Sequence, residues 1–147
     1  MATPTADPPF LRIQRGQTLY RVVKERVQDY RDVAAPRPIA ASREQASRCM
    51  DCGIPFCHWT CPLGNYVPDW NRHLANGEWQ TAFFALQATN NLPEVTARIC
   101  PAMCESACRR KDLDDPLSIR NLKRIAADND TGLWREQIGR ASCRERV

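Results

Sequence analysis

Apolar positions along this chain recur at helical rather than strand spacing. Leu19, Val22, Val23, Val27 and Tyr30 fall three and four apart, which predicts a helix face over residues 19–30. The valines there suit an extended segment as well. Ser42 followed by Gln45 has the form of a capping box and predicts a short helix that delivers Arg48 and Cys49. A helix is expected over 67–75, stopping near Asn76-Gly77. A second is expected over 78–90, with Trp79, Phe83 and Leu86 on one face. Pro93 and Glu94 start another that ends near Cys100, and Ser118 caps a last one carrying Ile119, Leu122 and Ile125. Residues 49–65, interrupted by Gly53, Pro55, Pro62 and Gly64, read as loop. Residues 1–18, with Pro4, Pro8 and Pro9 and no periodicity, read as a disordered or extended arm. Strand alternation is almost absent, so the fold class is mainly α.

Composition narrows the function. A chain of 147 residues makes one domain of ordinary size. Its net charge of +4, with 26% charged residues, demands neither a nucleic-acid nor a membrane partner. No apolar run nears the roughly 20 residues that span a bilayer, and the first ten residues lack the form of a signal peptide. A cytoplasmic setting follows, where cysteines are reduced and serve metals or catalysis rather than disulfides.

The tail stands apart. Residues 138–147, Ile-Gly-Arg-Ala-Ser-Cys-Arg-Glu-Arg-Val, read like a translated sequencing adapter and are expected to be non-native. Cys143 would then be accidental, and the tail's three arginines and one glutamate would supply +2 of the net charge. Codons unrelated to an adapter would dismiss that reading.

The other seven cysteines carry the chemistry. They form Cys49-x2-Cys52-x4-Cys57-x3-Cys61-Pro62 and Cys100-Pro101-x2-Cys104-x3-Cys108. Short loops that supply two or three thiolates, completed by a distant one, suit an iron–sulfur cubane. A cysteine followed by proline at the end of such a run serves the other cluster in bacterial ferredoxins, so Cys61-Pro62 suggests interleaved sites. Seven thiolates are one short of two sets of four; another residue type or solvent must complete the second. A zinc-binding interaction module is the rival reading, with His58 as an alternative ligand. Basic residues are absent from the first motif, against a nucleic-acid-binding knuckle. His58 and His73 otherwise read as hydrogen-bonded structural residues, and Trp79, Phe83 and Phe84 as core and cluster shielding. Arg98, Arg109, Arg110 and Lys111 flank the second motif, either as solvated surface or as charge compensation for an anionic cluster.

Residues 47–65, Ser-Arg-Cys-Met-Asp-Cys-Gly-Ile-Pro-Phe-Cys-His-Trp-Thr-Cys-Pro-Leu-Gly-Asn, resemble the N-terminal iron–sulfur domain of glutamate synthase small (β) subunits, shared with dihydropyrimidine dehydrogenase. Thr89–Glu94, Arg98–Pro101, Cys104-Glu105-x2-Cys108 and Pro116–Ile119 are similar in order and spacing. The resemblance implies a helical bis-[4Fe–4S] domain over 19–135, of the α-helical ferredoxin type. It implies that Cys49, Cys52, Cys57 and Cys108 hold one [4Fe–4S] cluster and Cys61, Cys100 and Cys104 the other. The family's eighth ligand is a Glu or Gln, and the aligned position here is Lys123, whose ammonium has no lone pair to donate. FAD and NADPH would bind a following region that opens with G-x-G-x-x-G. Glycines here stand only at 16, 53, 64, 77, 132 and 139, so the fingerprint lies outside this chain. The implied activity is electron supply to a large (α) subunit making glutamate from glutamine and 2-oxoglutarate. A sister flavin oxidoreductase, pyrimidine-dehydrogenase-like or ferredoxin-linked, is the alternative; no residue within this chain reads as catalytic.

Overall fold

The structure, a computed structural model, describes residues 7–129; the adapter-like tail and Cys143 lie outside them. Among the described residues there is no strand, only an isolated antiparallel bridge between Tyr20 and Ala34. Four longer helices make the scaffold: α3 (Ile39–Ala46), α5 (Val67–Asn76), α6 (Trp79–Gln87) and α9 (Ile119–Asp128). Between and before them stand the shorter α1 (Pro9–Arg12), α2 (Val23–Arg26), α4 (Phe56–Trp59), α7 (Pro93–Ile99) and α8 (Met103–Ser106), with a 3₁₀ turn over Arg109–Asp112.

Helix α5 buries Val67, Trp70, Asn71 and Leu74, one stripe at three- and four-residue spacing. Gly77 ends it in the left-handed region (φ +84°), and the Glu78 N–H reaches back to the His73 carbonyl at 2.8 Å. Only glycine takes that conformation without cost, so the chain reverses here and α6 returns along α5. Ala82 and Leu86 of α6, and Leu122 and Ala126 of α9, close the core over Trp70 and Leu74. Cys49, Cys57, Cys104 and Cys108 pack against that same core. Asn71 ties α5 to the end of α3 by donating to the Ala46 carbonyl at 2.7 Å, with both groups buried.

Several sequence expectations are corrected. Helix α3 begins at Ile39, so Ser42 lies inside it and donates to the Pro38 carbonyl at 2.9 Å instead of capping. The Gln45 amide instead holds the N-terminal segment: its oxygen accepts from Gly16 N at 2.7 Å and its nitrogen donates to the Gln14 carbonyl at 3.0 Å. Over 19–30 only the single turn α2 forms, and Leu19, Val22, Val23, Val27 and Tyr30 are exposed. There the Arg21 guanidinium clasps Asp29, and the Tyr20–Ala34 bridge draws the backbone extended, so the apolar stripe has no helix to carry it. Residues 49–65 include the turn α4, which the loop reading omitted. Ser118 precedes α9 as expected, but its hydroxyl makes no cap bond.

Candidate metal centre

Cysteine placement starts with Arg48. Its side chain is fully buried, and its Nε donates to the Ile13 carbonyl at 2.9 Å. Nη2 reaches Asp114 and the Asp115 carbonyl, each at 3.0 Å. One guanidinium therefore joins the N-terminal segment, the end of α3 and the 114–116 segment, immediately before Cys49. Arg110, also buried, pairs with the same Asp114 two residues after Cys108. The two cysteine motifs are thus cross-linked through Asp114, a carboxylate shared by two guanidinia.

Both motifs fold by the same local device. Asp51 (φ +47°) and Ala102 (φ +59°) are the described non-glycine residues in the left-handed region. Each lies two residues after a cysteine. The Ala102 N–H donates to Cys100 Sγ at 3.3 Å, and the Asp51 backbone likewise bonds the Cys49 sulfur. A left-handed residue costs about 1–2 kcal/mol for a side chain larger than glycine's. Here it turns an amide towards the sulfur, which is the arrangement that stabilises a thiolate bound to metal.

A narrow cavity of about 20 Å³ is lined by Cys49, Cys52, Cys57 and Cys108. Phe56, Val67, Leu117 and Ile119 complete its wall. Of the aromatics expected as core and cluster shielding, Phe83 is buried in the core and Trp79 packs against it, Phe84 is exposed, and none of the three lines this cavity. Arg109 at the rim lies over the Phe56 ring, 5.5 Å from its centroid.

Electrostatics sort the thiols into two groups. Burial, before anything else, pushes Cys49 up to about 11, with Cys108 and Cys52 adding to it. Burial pushes Cys57 up to about 12, reinforced by Cys108, Cys49 and Cys104. Cys52 is raised by burial and then by Cys108, while Arg109 opposes. In the other group burial pushes Cys104 up to about 12, with Glu105, Cys61 and Cys100 adding and Lys123 opposing. The groups are Cys49, Cys52, Cys57 and Cys108, and Cys61, Cys100 and Cys104 beside Lys123. They touch where Cys104 acts on Cys57. Cys108 of the second motif thus shares a cavity with Cys49, Cys52 and Cys57 of the first, and Cys61 lies within electrostatic reach of Cys104.

The donor sets differ in fit. Four thiols around one apolar cavity suit a four-ligand cluster with no further donor. Three thiols beside a lysine do not complete a second. Among the described residues no three His, Cys, Asp or Glu side chains gather tightly enough for a single ion. Tetrahedral zinc would need its sulfurs about 3.8 Å apart, given Zn–S near 2.3 Å.

Of the flanking cations, Arg98 is bound to Asp32 and Asp128, Lys111 donates to the Ser106 carbonyl, and Arg110 is locked to Asp114. Arg109, paired with Asp112, acts on Cys52, and both Arg109 and Arg110 line the four-thiol cavity. His73 bonds Glu78, as a structural residue should. His58 differs from that expectation: its buried Nδ1 has no partner among the described residues, and its ring packs edge-on against Tyr66. Sequence reasoning missed Arg48, Asp114 and Phe56. Arg48 and Phe56 adjoin motif cysteines, but nothing in their spacing announces burial or contact.

A helical domain whose two cysteine motifs interlock into a four-thiol and a three-thiol set belongs to the class of iron–sulfur proteins. The family described as dihydropyrimidine dehydrogenase domain II, 4Fe–4S cluster, matches residues 26–133, and the chain belongs to it. It is 48% identical over 120 residues to the glutamate synthase [NADPH] small chain of Mycobacterium tuberculosis H37Rv, covering 80% of this chain and 25% of that one. It is 39% identical over 137 residues to the Bacillus subtilis glutamate synthase [NADPH] small chain, covering 87% and 27%. A third relative is the glutamate synthase [NADH] of Saccharomyces cerevisiae, 39% identical over 122 residues, covering 82% and 6%. The chain is thus an iron–sulfur domain homologous to glutamate synthase small chains, and it spans about a quarter of the length of the bacterial ones. No described helix is long and apolar enough to cross a membrane.

Proposed function

We propose that this chain is the electron-transfer domain of an NADPH- and FAD-dependent glutamate synthase, acting in the cytoplasm. In this reading a [4Fe–4S] cluster is held by Cys49, Cys52, Cys57 and Cys108, and a second iron–sulfur cluster by Cys61, Cys100 and Cys104. FAD and NADPH belong to the part of the protein outside this chain, and the large subunit receives the electrons for glutamate formation. The observation that carries the proposal is the cavity where Cys108 of the second motif joins Cys49, Cys52 and Cys57 of the first.

Bound iron–sulfur clusters take up and release one electron at a time. The chain's residues do the rest. Phe56, Val67, Leu117 and Ile119 keep water from the first set, and a drier site raises the weight of every charge beside it. Amides at Asp51 and Ala102 turned to sulfur stabilise the thiolates once their protons leave. Arg48, Asp114 and Arg110 fix the separation of the two motifs and so the path between the sets.

The test is iron, acid-labile sulfide and zinc measured on one anaerobically reconstituted sample. Iron and sulfide at the level of two clusters, with visible absorption near about 400 nm of the sulfur-to-iron type, are expected. Zinc without sulfide would overturn the reading. Glutamate formation by the full-length protein with its large subunit would separate glutamate synthase from a sister flavin oxidoreductase.

A further inference from the structure

We propose that the second thiol set of this chain holds a three-iron cluster, with the Lys123 ammonium standing as counter-charge in the corner where a fourth iron would bind. The inference rests on the iron–sulfur reading above and deepens it.

The geometry comes from α9. Arg120 in its first turn donates from its guanidinium to the Cys100 carbonyl at 3.0 Å and from its N–H to Glu105 at 2.9 Å. The first turn of α9 therefore grips both ends of the loop that presents Cys100 and Cys104. Lys123 lies one helical turn further along, is 6% exposed, and is close enough to act on Cys104.

Among the described donors near the set Glu105 is not free, and His58, whose buried Nδ1 has no partner, is the rival ligand. Both Glu105 oxygens are engaged, one by Arg15 and one by the Arg120 N–H. The thiols of the first set face their own cavity. Lys123 itself is paired with no carboxylate among the described residues. A cation beside three thiolates favours an anionic cluster there. An oxidised three-iron, four-sulfide core of charge +1 with three thiolates carries −2 in all, which is such an anion. A fourth iron would bring a further cation against the ammonium.

The test uses the full chain, reconstituted anaerobically, beside Lys123→Glu and Lys123→Gln, which place an oxygen donor in that corner. The unmodified chain is expected to bind about seven irons and eight sulfides, four irons at one set and three at the other. It should show the paramagnetic signal of an oxidised three-iron core. The two variants should rise to about eight irons and lose that signal. Eight irons without the signal in the unmodified chain overturn the proposal, and a fall from eight on His58→Ala would name histidine as the ligand instead. Four irons and four sulfides also overturn it, leaving one cluster in place. Absence of acid-labile sulfide would instead sink the iron–sulfur reading itself.

Discussion

Replacing Arg48 with Met keeps most of the side-chain volume and removes every donor. Of its acceptors, Asp114 keeps Arg110 and the Pro116 carbonyl keeps Arg15. The Ile13 and Asp115 carbonyls lose the guanidinium bonds that hold them. A buried acceptor left unpaired costs about 1–3 kcal/mol. These two are partly buried, which puts the total near the lower half of that range for each, about 2–4 kcal/mol together. Isosteric hydrophobic replacement of a buried charge can be neutral when all partners go with it, but here the partners stay. The measurement is denaturant unfolding of the metal-free chain, followed by iron retention after reconstitution. The midpoint should fall by that amount, and iron at both sets should become labile, because the residue before Cys49 no longer fixes the 114–116 segment. A change below about 0.5 kcal/mol with unaltered iron retention would refute the scaffold role.

Four further outcomes are expected. Cys108→Ser should cost about four irons and Cys104→Ser should spare them, because Cys108 lines the four-thiol cavity and Cys104 does not; iron counts on both variants decide. Trp70→Ala, at a side chain 1% exposed in the centre of the core, should cost about 3–5 kcal/mol by thermal or denaturant unfolding. Ala102→Val should lose about 1–2 kcal/mol because a β-branched residue resists φ +59°, while Ala102→Gly should be tolerated. Metal-free stability should be flat up to about pH 9 and fall from there towards pH 12. Cys49, Cys57 and Cys104 have folded values raised from 9.0 to about 11, 12 and 12, so the folded state holds protons that the unfolded state has released. Denaturant midpoints at pH 7, 8.5 and 10.5, compared with a Cys57→Ala chain whose decline is shallower, read this out.

Local pattern was enough for the helical class and for the extents of α5 and α7 to within a residue or so, and it singled out the cysteines as candidate ligands. These are local properties. A stripe at three- and four-residue spacing, a proline in the first turn and a glycine at the end specify a helix wherever it packs. The grouping of the thiols is of another kind. The resemblance implies two sets that cross the motifs, and in the fold Cys108 lines one cavity with Cys49, Cys52 and Cys57, across a distance in sequence that spacing cannot measure. The capping box at Ser42 and the helix face over 19–30 failed for the same reason. Each residue type permitted the role, and a competing long-range contact decided otherwise: Gln45 went to Gly16 and Arg21 to Asp29. Arg48 shows the division most plainly, since an arginine beside a cysteine reads as surface until the fold buries it among carbonyls. Tertiary structure alone chose its partners, because burial turns an otherwise solvated guanidinium into a group that must find an acceptor for each donor.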